Sequence, residues 1–462
     1  MTAIADRTLQ SELHDLVMPL LSRWKVPGIA IATWQDGQIR EAAFGTANLE
    51  AGHPVTPGTV FQIGSITKVF TATAVMQLVD AWRIDLDAPV VRYLPDFRLS
   101  TPEATGALTV RHLLTHHTGF WGDDFTDRGS GDDALAKAVA ALSGVRQLTP
   151  PGESWAYCNA GFQVLGAILE RFHGKPVEDV IRDRVFKPLG LERTTFRVGE
   201  AITNPVAVGY NTLTTTEPEV ARPYAITRAM AAAGTIMGTV GDLLKFAAFH
   251  LGDGKANDLR LLSPGAVAEM QHEQVAAANM APHWGLGWWI QDAAGTKTIG
   301  HGGSTNGHRA LLPIVPEKRF ACAMLTNGSN GAAVYNRVER HLLAEAGAPR
   351  VDPQEGRLPG AAMANLAGRY HAPGGDITVG ADGDRLVIDT AVRNALTGAE
   401  YAAPTRRAAA IGDTEFVIKD TEMEGSRFDF LLHPDGTPRF LRLGGRLYDR
   451  VAHDAVTPLT PE

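Results

Sequence analysis

The stretch from Ser65 to Ala81 limits the folds open to this chain more than any other. Wound as a helix, it sets Val69, Ala72, Ala74, Val75, Leu78 and Val79 nearly all round its circumference. A helix without a polar face is stable only when other elements cover every side of it. A large surrounding core is therefore required. The 462 residues, 44% apolar and 20% charged, suffice for one large domain and a smaller one. With 48 Gly and 27 Pro the chain has the make-up of a compact, turn-rich protein rather than a coiled coil or a disordered one.

Residues 8–24 carry Leu9, Leu13, Leu16, Val17, Leu20, Leu21 and Trp24 at helical spacing, and Pro27 ends that pattern. Apolar runs at 28–34 and 39–45 flank Asp36-Gly37, a dipeptide suited to the left-handed turn of a β-hairpin. From about 106 to 250 the pattern is helical and rich in loops, and strand patterns return at 287–291, 296–301, 309–315 and 319–326. One antiparallel sheet then collects strands from both ends of a first domain spanning 1–350. Pro, Gly and charged residues between 347 and 361 read as a linker with a boundary near 355. Beyond it, short alternating runs at 377–379, 385–389, 415–418, 427–432 and 439–443 predict a small all-β barrel or sandwich over 361–462.

A net charge of -8 and the absence of any Lys/Arg run argue against nucleic acid as a partner. The start of the sequence has acidic Asp6 and Glu12 and no apolar stretch long enough for a leader or a membrane span, so a cytoplasmic protein without a membrane partner is expected. Cys158 and Cys322 are too few for a disulfide framework. The expected partner is a small-molecule or peptide substrate, with no metal and no cofactor, and the oligomeric state is left open.

Ser65-Ile-Thr-Lys68 is an S-x-x-K pattern, which chance supplies roughly once in a few hundred residues. Ser22-Arg-Trp-Lys25 matches equally well, at the end of the first helix just before Pro27. Context separates the two. Ser65 follows Gly64 and opens the buried helix, so that Lys68 lies on the same face with its amine near the serine oxygen. A serine hydroxyl is a poor nucleophile until a base takes its proton, and burial in apolar surroundings is what makes a lysine able to do so. The bland alternative is a buried helix start whose lysine snorkels to the surface.

Tyr157-Cys-Asn159 lies in Pro151-Gly-Glu-Ser-Trp-Ala-Tyr-Cys-Asn-Ala-Gly-Phe, where Pro and Gly force a turn before the next helix. A tyrosine there can pass a proton between the serine and a leaving group, and Asn159 can hold a substrate carbonyl or the lysine. His301-Gly-Gly-Ser304 ends a strand-like run. Gly302 and Gly303 allow close approach of a substrate backbone. The Ser304 amide can join that of Ser65 in an oxyanion hole, each donor contributing on the order of 3 kcal/mol elsewhere. His301 would act beside it as a neutral or switchable hydrogen-bond donor.

The order S-x-x-K, Y-x-N, H-x-G resembles the class C β-lactamase-like superfamily of serine hydrolases and penicillin-binding proteins. Leu113-Leu-Thr-His-His-Thr-Gly119, Ala232-Ala-Gly-Thr-Ile236 and Trp284-Gly-Leu-Gly-Trp288 support the likeness, which covers about residues 8–345. It implies an α/β fold: an antiparallel sheet flanked by helices, an all-helical lobe, and the site between them. The β tail resembles the lipocalin-like domain of some members. The resemblance implies catalysis by Ser65, Lys68, Tyr157 and His301.

True β-lactamases of that superfamily carry a lysine where this chain has His301, and a neutral imidazole attracts a substrate carboxylate less. Arg309 or Lys297 are candidates to restore that charge. Substituted third motifs resemble those of family VIII carboxylesterases and D-amino acid amidases or peptidases. Ester or amide hydrolysis through an acyl-enzyme on Ser65 is the expected function. The alternatives are acyl transfer or peptide cyclisation by the same intermediate, and a weak β-lactamase or non-catalytic penicillin-binding protein. In a loop that usually borders the cleft in this superfamily, Phe120 and Trp121 are candidates for binding an apolar acyl group, and Asp123, Asp124 or Asp127 for holding a substrate amine. Asp132 or Asp133 is expected to cap the following helix.

Overall fold

The computed structural model describes residues 8–451 apart from 214, 278–279, 294, 394–397 and 399. Residues 1–7, on which the expectation of no leader partly rests, lie outside that range. The chain divides into two compact units, one of residues 1–276 and 282–351, the other of 277–281 and 352–462.

The first unit is built on a nine-stranded antiparallel sheet. Its centre runs from Trp289–Ala293 through Thr296–Thr305, His308–Val315 and Phe320–Thr326 to Gly28–Gln35 and Gln38–Asn48. The hairpin forms where Asp36-Gly37 predicts it, with both residues at positive φ (49° and 90°) and Gln35 opposite Gln38. The first helix, Leu9–Trp24, buries Leu9, Leu13, Val17 and Leu21. It is clamped to the hairpin by the Gln10 side-chain amide, which donates to the Ala43 carbonyl at 2.9 Å and accepts from the Ala43 N–H at 2.8 Å.

The apolar helix runs from Thr67 to Asp80, one turn shorter than its sequence pattern, and Lys68 is buried along with nearly all its neighbours. It touches Asn159–His173 and Ala231–Gly234 in the helical lobe, while Phe70 stacks on Phe246 of Val240–Leu251 with centroids 3.8 Å apart. Val240–Leu251 in turn packs on the sheet strands Gly28–Gln35 and Phe320–Thr326. The helix is thus the axle between lobe and sheet. Its buried hydroxyls are paired, Thr71 donating to the Ala232 carbonyl at 2.7 Å and Thr73 to that of Val69 at 2.7 Å.

The second unit is a closed antiparallel barrel of eight strands: Gly368–Ala372, Gly375–Asp382, Arg385–Arg393, Arg406–Ala410, Glu415–Ile418, Arg427–Leu432, Pro438–Leu443 and Arg446–Val451. Pairing of Gly375–Asp382 with Arg385–Arg393 closes it. Tyr370, Phe416, Phe428 and Phe430 fill the interior with Ile, Leu and Ala side chains, so this barrel has a packed core. Gly368–Ala372, Arg406–Ala410 and Arg446–Val451 are strands that periodicity does not predict. Among the described residues no helix is long and apolar enough to cross a membrane.

Two fully buried histidines of the first unit make stability pH-dependent. His250 and His308 are pushed down to about 3, in both cases chiefly by burial. Below the ordinary histidine value of about 6.5 the unfolded chain takes up protons that the folded chain refuses, so stability falls as pH drops from there toward 3. His308 packs its ring against Phe61 and Tyr224, and among the described residues neither ring nitrogen has a hydrogen-bond partner. The His308→Leu variant is expected to lose less melting temperature than the parent protein between about pH 7 and about pH 5 in scanning calorimetry. Parallel pH curves for the two proteins would refute this.

Candidate active site

Ser65 sits in a single 3-10 turn, Gly64–Ile66, directly ahead of the Thr67–Asp80 helix. The turn is pinned from behind: the Ile63 N–H donates to the Ile236 carbonyl at 3.0 Å, and the Ile236 N–H to the Thr67 hydroxyl at 3.2 Å. Gly64 has φ 54°, and a Cβ there would lie 2.6 Å from the Ser304 nitrogen. Gly303, across the gap, would place a Cβ 1.9 Å from the Ile63 carbonyl oxygen and 3.3 Å from the Ser65 nitrogen. These two glycines let the Thr296–Thr305 strand lie directly against the serine turn, which sets the Ser304 and Ser65 backbones side by side. His301-Gly-Gly-Ser304 lies within that strand rather than at its end. Gly303 is needed for contact between parts of the protein, a different duty from admitting substrate.

Lys68 is fully buried, and its Nζ reaches three oxygens: Ser65 Oγ at 3.1 Å, Asn159 Oδ1 at 2.6 Å and the Ala233 carbonyl at 2.7 Å. The rings of Tyr157 and Phe162 flank it at 5.0 and 5.6 Å. As a neutral amine it satisfies the two carbonyl oxygens with its two N–H groups and directs its lone pair at the serine. As an ammonium it donates to all three. The site therefore accommodates both protonation states without rearrangement.

Tyr157 is 5% exposed and stacks on His116, with centroids 4.3 Å apart. His116 stands at φ 61° and its Nδ1 accepts the Cys158 N–H at 3.0 Å, which ties the tyrosine segment to the Leu113–Gly119 string. Asn159 begins the next helix, whose start is capped by Cys158 Sγ accepting from the Gly161 N–H at 3.3 Å. Burial raises the Cys158 thiol to about 11, as suits a filler rather than a nucleophile.

His301 is 2% exposed, its ring 6.2 Å from that of Tyr157 and 5.7 Å from that of Trp284. Burial, then the charge of Lys68, pushes it down to about 3, so it is neutral across the physiological range instead of switchable. Nδ1 lies 2.6 Å from the Gly302 carbonyl, which assigns the proton to Nδ1 and leaves Nε2 an acceptor. The expectation of a donor toward substrate fails for that reason. Both candidate cations have backbone partners: Lys297 donates to the Gln271 carbonyl, and Arg309 Nη1 to the carbonyls of Thr305 and His308 within its own hairpin.

The loop candidates separate. Phe120 is 2% exposed and belongs to the core, bridged to Gln147, so it does not line a cleft. Asp124 is bound to Arg128 at 2.6 Å and to the Thr126 N–H at 2.9 Å, a loop strut rather than a substrate group. Trp121 Nε1 donates to the Asp123 carbonyl at 3.2 Å, and Asp123 Oδ1 accepts the Asn159 amide at 2.5 Å. Asp133 stands at the predicted cap position, but its carboxylate pairs with Lys137 at 2.8 Å and not with the helix N–H groups. The Ala233 carbonyl and His116 are the parts of the site that side-chain motifs do not disclose. Both lie in strings legible only as family signatures.

Residues 13–347 match the Beta-lactamase family. The chain belongs to that family. Within it, the chain is 37% identical over 361 residues to "Penicillin-binding protein 4" of Amycolatopsis lactamdurans, covering 76% of this chain and 94% of the relative. The crystal structure of SurE with D-Leu aligns at 27% identity and TM-score 0.73 over 95% of this chain and 99% of that one. The D-amino acid amidase from Ochrobactrum anthropi SV3, complexed with L-phenylalanine amide, aligns at 25% identity and TM-score 0.60 over 73% of this chain and 99% of that one.

For this Beta-lactamase-family chain the two motif glycines should differ sharply in tolerance. A Cβ on Gly302 meets nothing closer than the Ala310 oxygen at 3.7 Å. Gly303→Ala is expected to cost about 1–3 kcal/mol in thermal unfolding and to slow fluorophosphonate labelling of Ser65, while Gly302→Ala stays near the parent in both. Equal behaviour of the two variants would show that the strand does not need to touch the serine turn.

Proposed function

We propose that the protein is a serine hydrolase that cleaves esters or amides through an acyl-enzyme on Ser65. The observation that supports this most is Lys68 Nζ at 3.1 Å from Ser65 Oγ, with the Asn159 and Ala233 carbonyl oxygens at 2.6 and 2.7 Å able to accept its N–H groups. In acylation Ser65 Oγ bonds to the substrate carbonyl carbon and its proton passes to Lys68. The Ser65 and Ser304 amides bind the developing oxyanion. Collapse breaks the bond to the leaving amine or alcohol, which takes its proton from the Tyr157 hydroxyl as Lys68 restores that of Tyr157. Water then attacks the acyl-enzyme, with the same groups taking up and returning its proton.

The neutral His301 favours substrates without a carboxylate at that position, so esters and amides, including those of amine-bearing acyl groups, are favoured over penicillins. Trp121 and the carboxylate of Asp123 are the loop groups proposed to meet such an acyl group.

Ser65→Ala is expected to lower hydrolysis of p-nitrophenyl butyrate at least about a thousandfold and to abolish the acyl adduct in intact-mass spectra. Unchanged turnover would rule out the mechanism. Product masses separate hydrolysis from transfer, since a transferase yields acylated or cyclised product. His301→Lys is expected to speed acylation by benzylpenicillin. If it does not, the charge at this position is not what disfavours penicillins.

A further inference from the structure

We propose that Asp123 is a positioning residue for the Ser65–Lys68 pair: by accepting the Asn159 amide N–H it holds the Asn159 carbonyl on Lys68 and keeps the lysine lone pair available to the serine. The inference rests on the acyl-enzyme reading above.

The two ends of a carboxamide are nearly equal in size, and only their partners decide which way round the group sits. On one side of Asn159, Nδ2 lies 2.5 Å from Asp123 Oδ1; on the other, Oδ1 lies 2.6 Å from Lys68 Nζ. A carboxylate accepts and cannot donate. A flipped amide would set oxygen against oxygen at Asp123 and point an N–H group at Lys68, where it would occupy the lone pair of the neutral amine. The base would then have no site for the serine proton. With the observed orientation, the Asn159 and Ala233 oxygens can take the two N–H groups of the neutral amine, and Ser65 Oγ at 3.1 Å is within reach of its lone pair.

Asp123 is itself held for this duty. The Ala160 N–H donates to the Gly122 carbonyl at 2.9 Å, joining the loop to the first turn of the Asn159–His173 helix. A Cβ on Gly122 would lie 2.5 Å from the Cys158 Cα, so only glycine permits this approach. The Trp121 indole donates to the Asp123 carbonyl at 3.2 Å.

The test uses the full chain with p-nitrophenyl butyrate, whose acyl group carries no amine, so that any grip of Asp123 on a substrate amine is silent. Asp123→Asn keeps the size and gains a donor, whereas Asp123→Glu changes the size and still only accepts. Asp123→Asn is expected to lower kcat roughly tenfold with KM little changed, and to slow fluorophosphonate labelling of Ser65 in parallel. Asp123→Glu is expected to restore most of both. A packing role would give the opposite order, with the isosteric Asn variant nearer the parent, and would overturn the proposal. So would Asp123→Asn labelling as fast as the parent. Failure of the parent protein to label at Ser65 at all would instead remove the acyl-enzyme reading, and this inference with it. Melting temperatures of both variants keep a folding defect from passing for a loss of base function.

Discussion

The structure depends first on the burial of one lysine amine. Lys68 has no exposed surface, and a cation there requires close partners, among them the oxygens of Ser65, Asn159 and Ala233 and the ring faces of Tyr157 and Phe162. Those partners come from three separate places in the chain: the 3-10 turn of Ser65, the Tyr157–Phe162 segment with the Asn159 amide, and the Ala233 carbonyl. Assembling them is what the packing of the helical lobe accomplishes. The apolar helix is at the centre because a lysine with a polar face behind it would be drawn into water.

A second constraint is the contact between the serine turn and the Thr296–Thr305 strand. Gly64 and Gly303 bring backbone against backbone, and no side chain on either can be accommodated without moving the strand or the turn. The amide of Ser304 reaches the site through this contact, so the sheet and the helical lobe contribute to one centre although its motifs are widely spaced in the chain. His301, on the same strand, is buried by Trp284 and Tyr157 and kept neutral by that burial. The position at which the resemblance to β-lactamases implies a lysine is here held by an uncharged acceptor.

Much of the fold was legible because its signals are local. Helical spacing over 8–24, the Asp36-Gly37 turn and the alternation over 427–432 need only near neighbours. The strands Gly368–Ala372 and Arg406–Ala410 escaped such a reading for a physical reason. Arg406-Arg-Ala-Ala-Ala has little intrinsic strand preference and pairs because barrel closure supplies partners on both edges, at 385–388 and 416–418. Asp124 and Phe120 show the same limit at the site. An acidic loop residue and an aromatic one are equally credible as ligands of a substrate or of their own fold, and only the Arg128 contact and the burial of the ring decide.

By itself the sequence determined the chemistry available: a serine three residues before a buried lysine, a tyrosine and asparagine in a forced turn, and a histidine in place of a lysine. Tertiary structure alone decided how those groups are used. The direction of the Asn159 amide, the tautomer of His301 and the oxygens around Lys68 each depend on hydrogen bonds between residues far apart in the chain, whose distances no local pattern encodes.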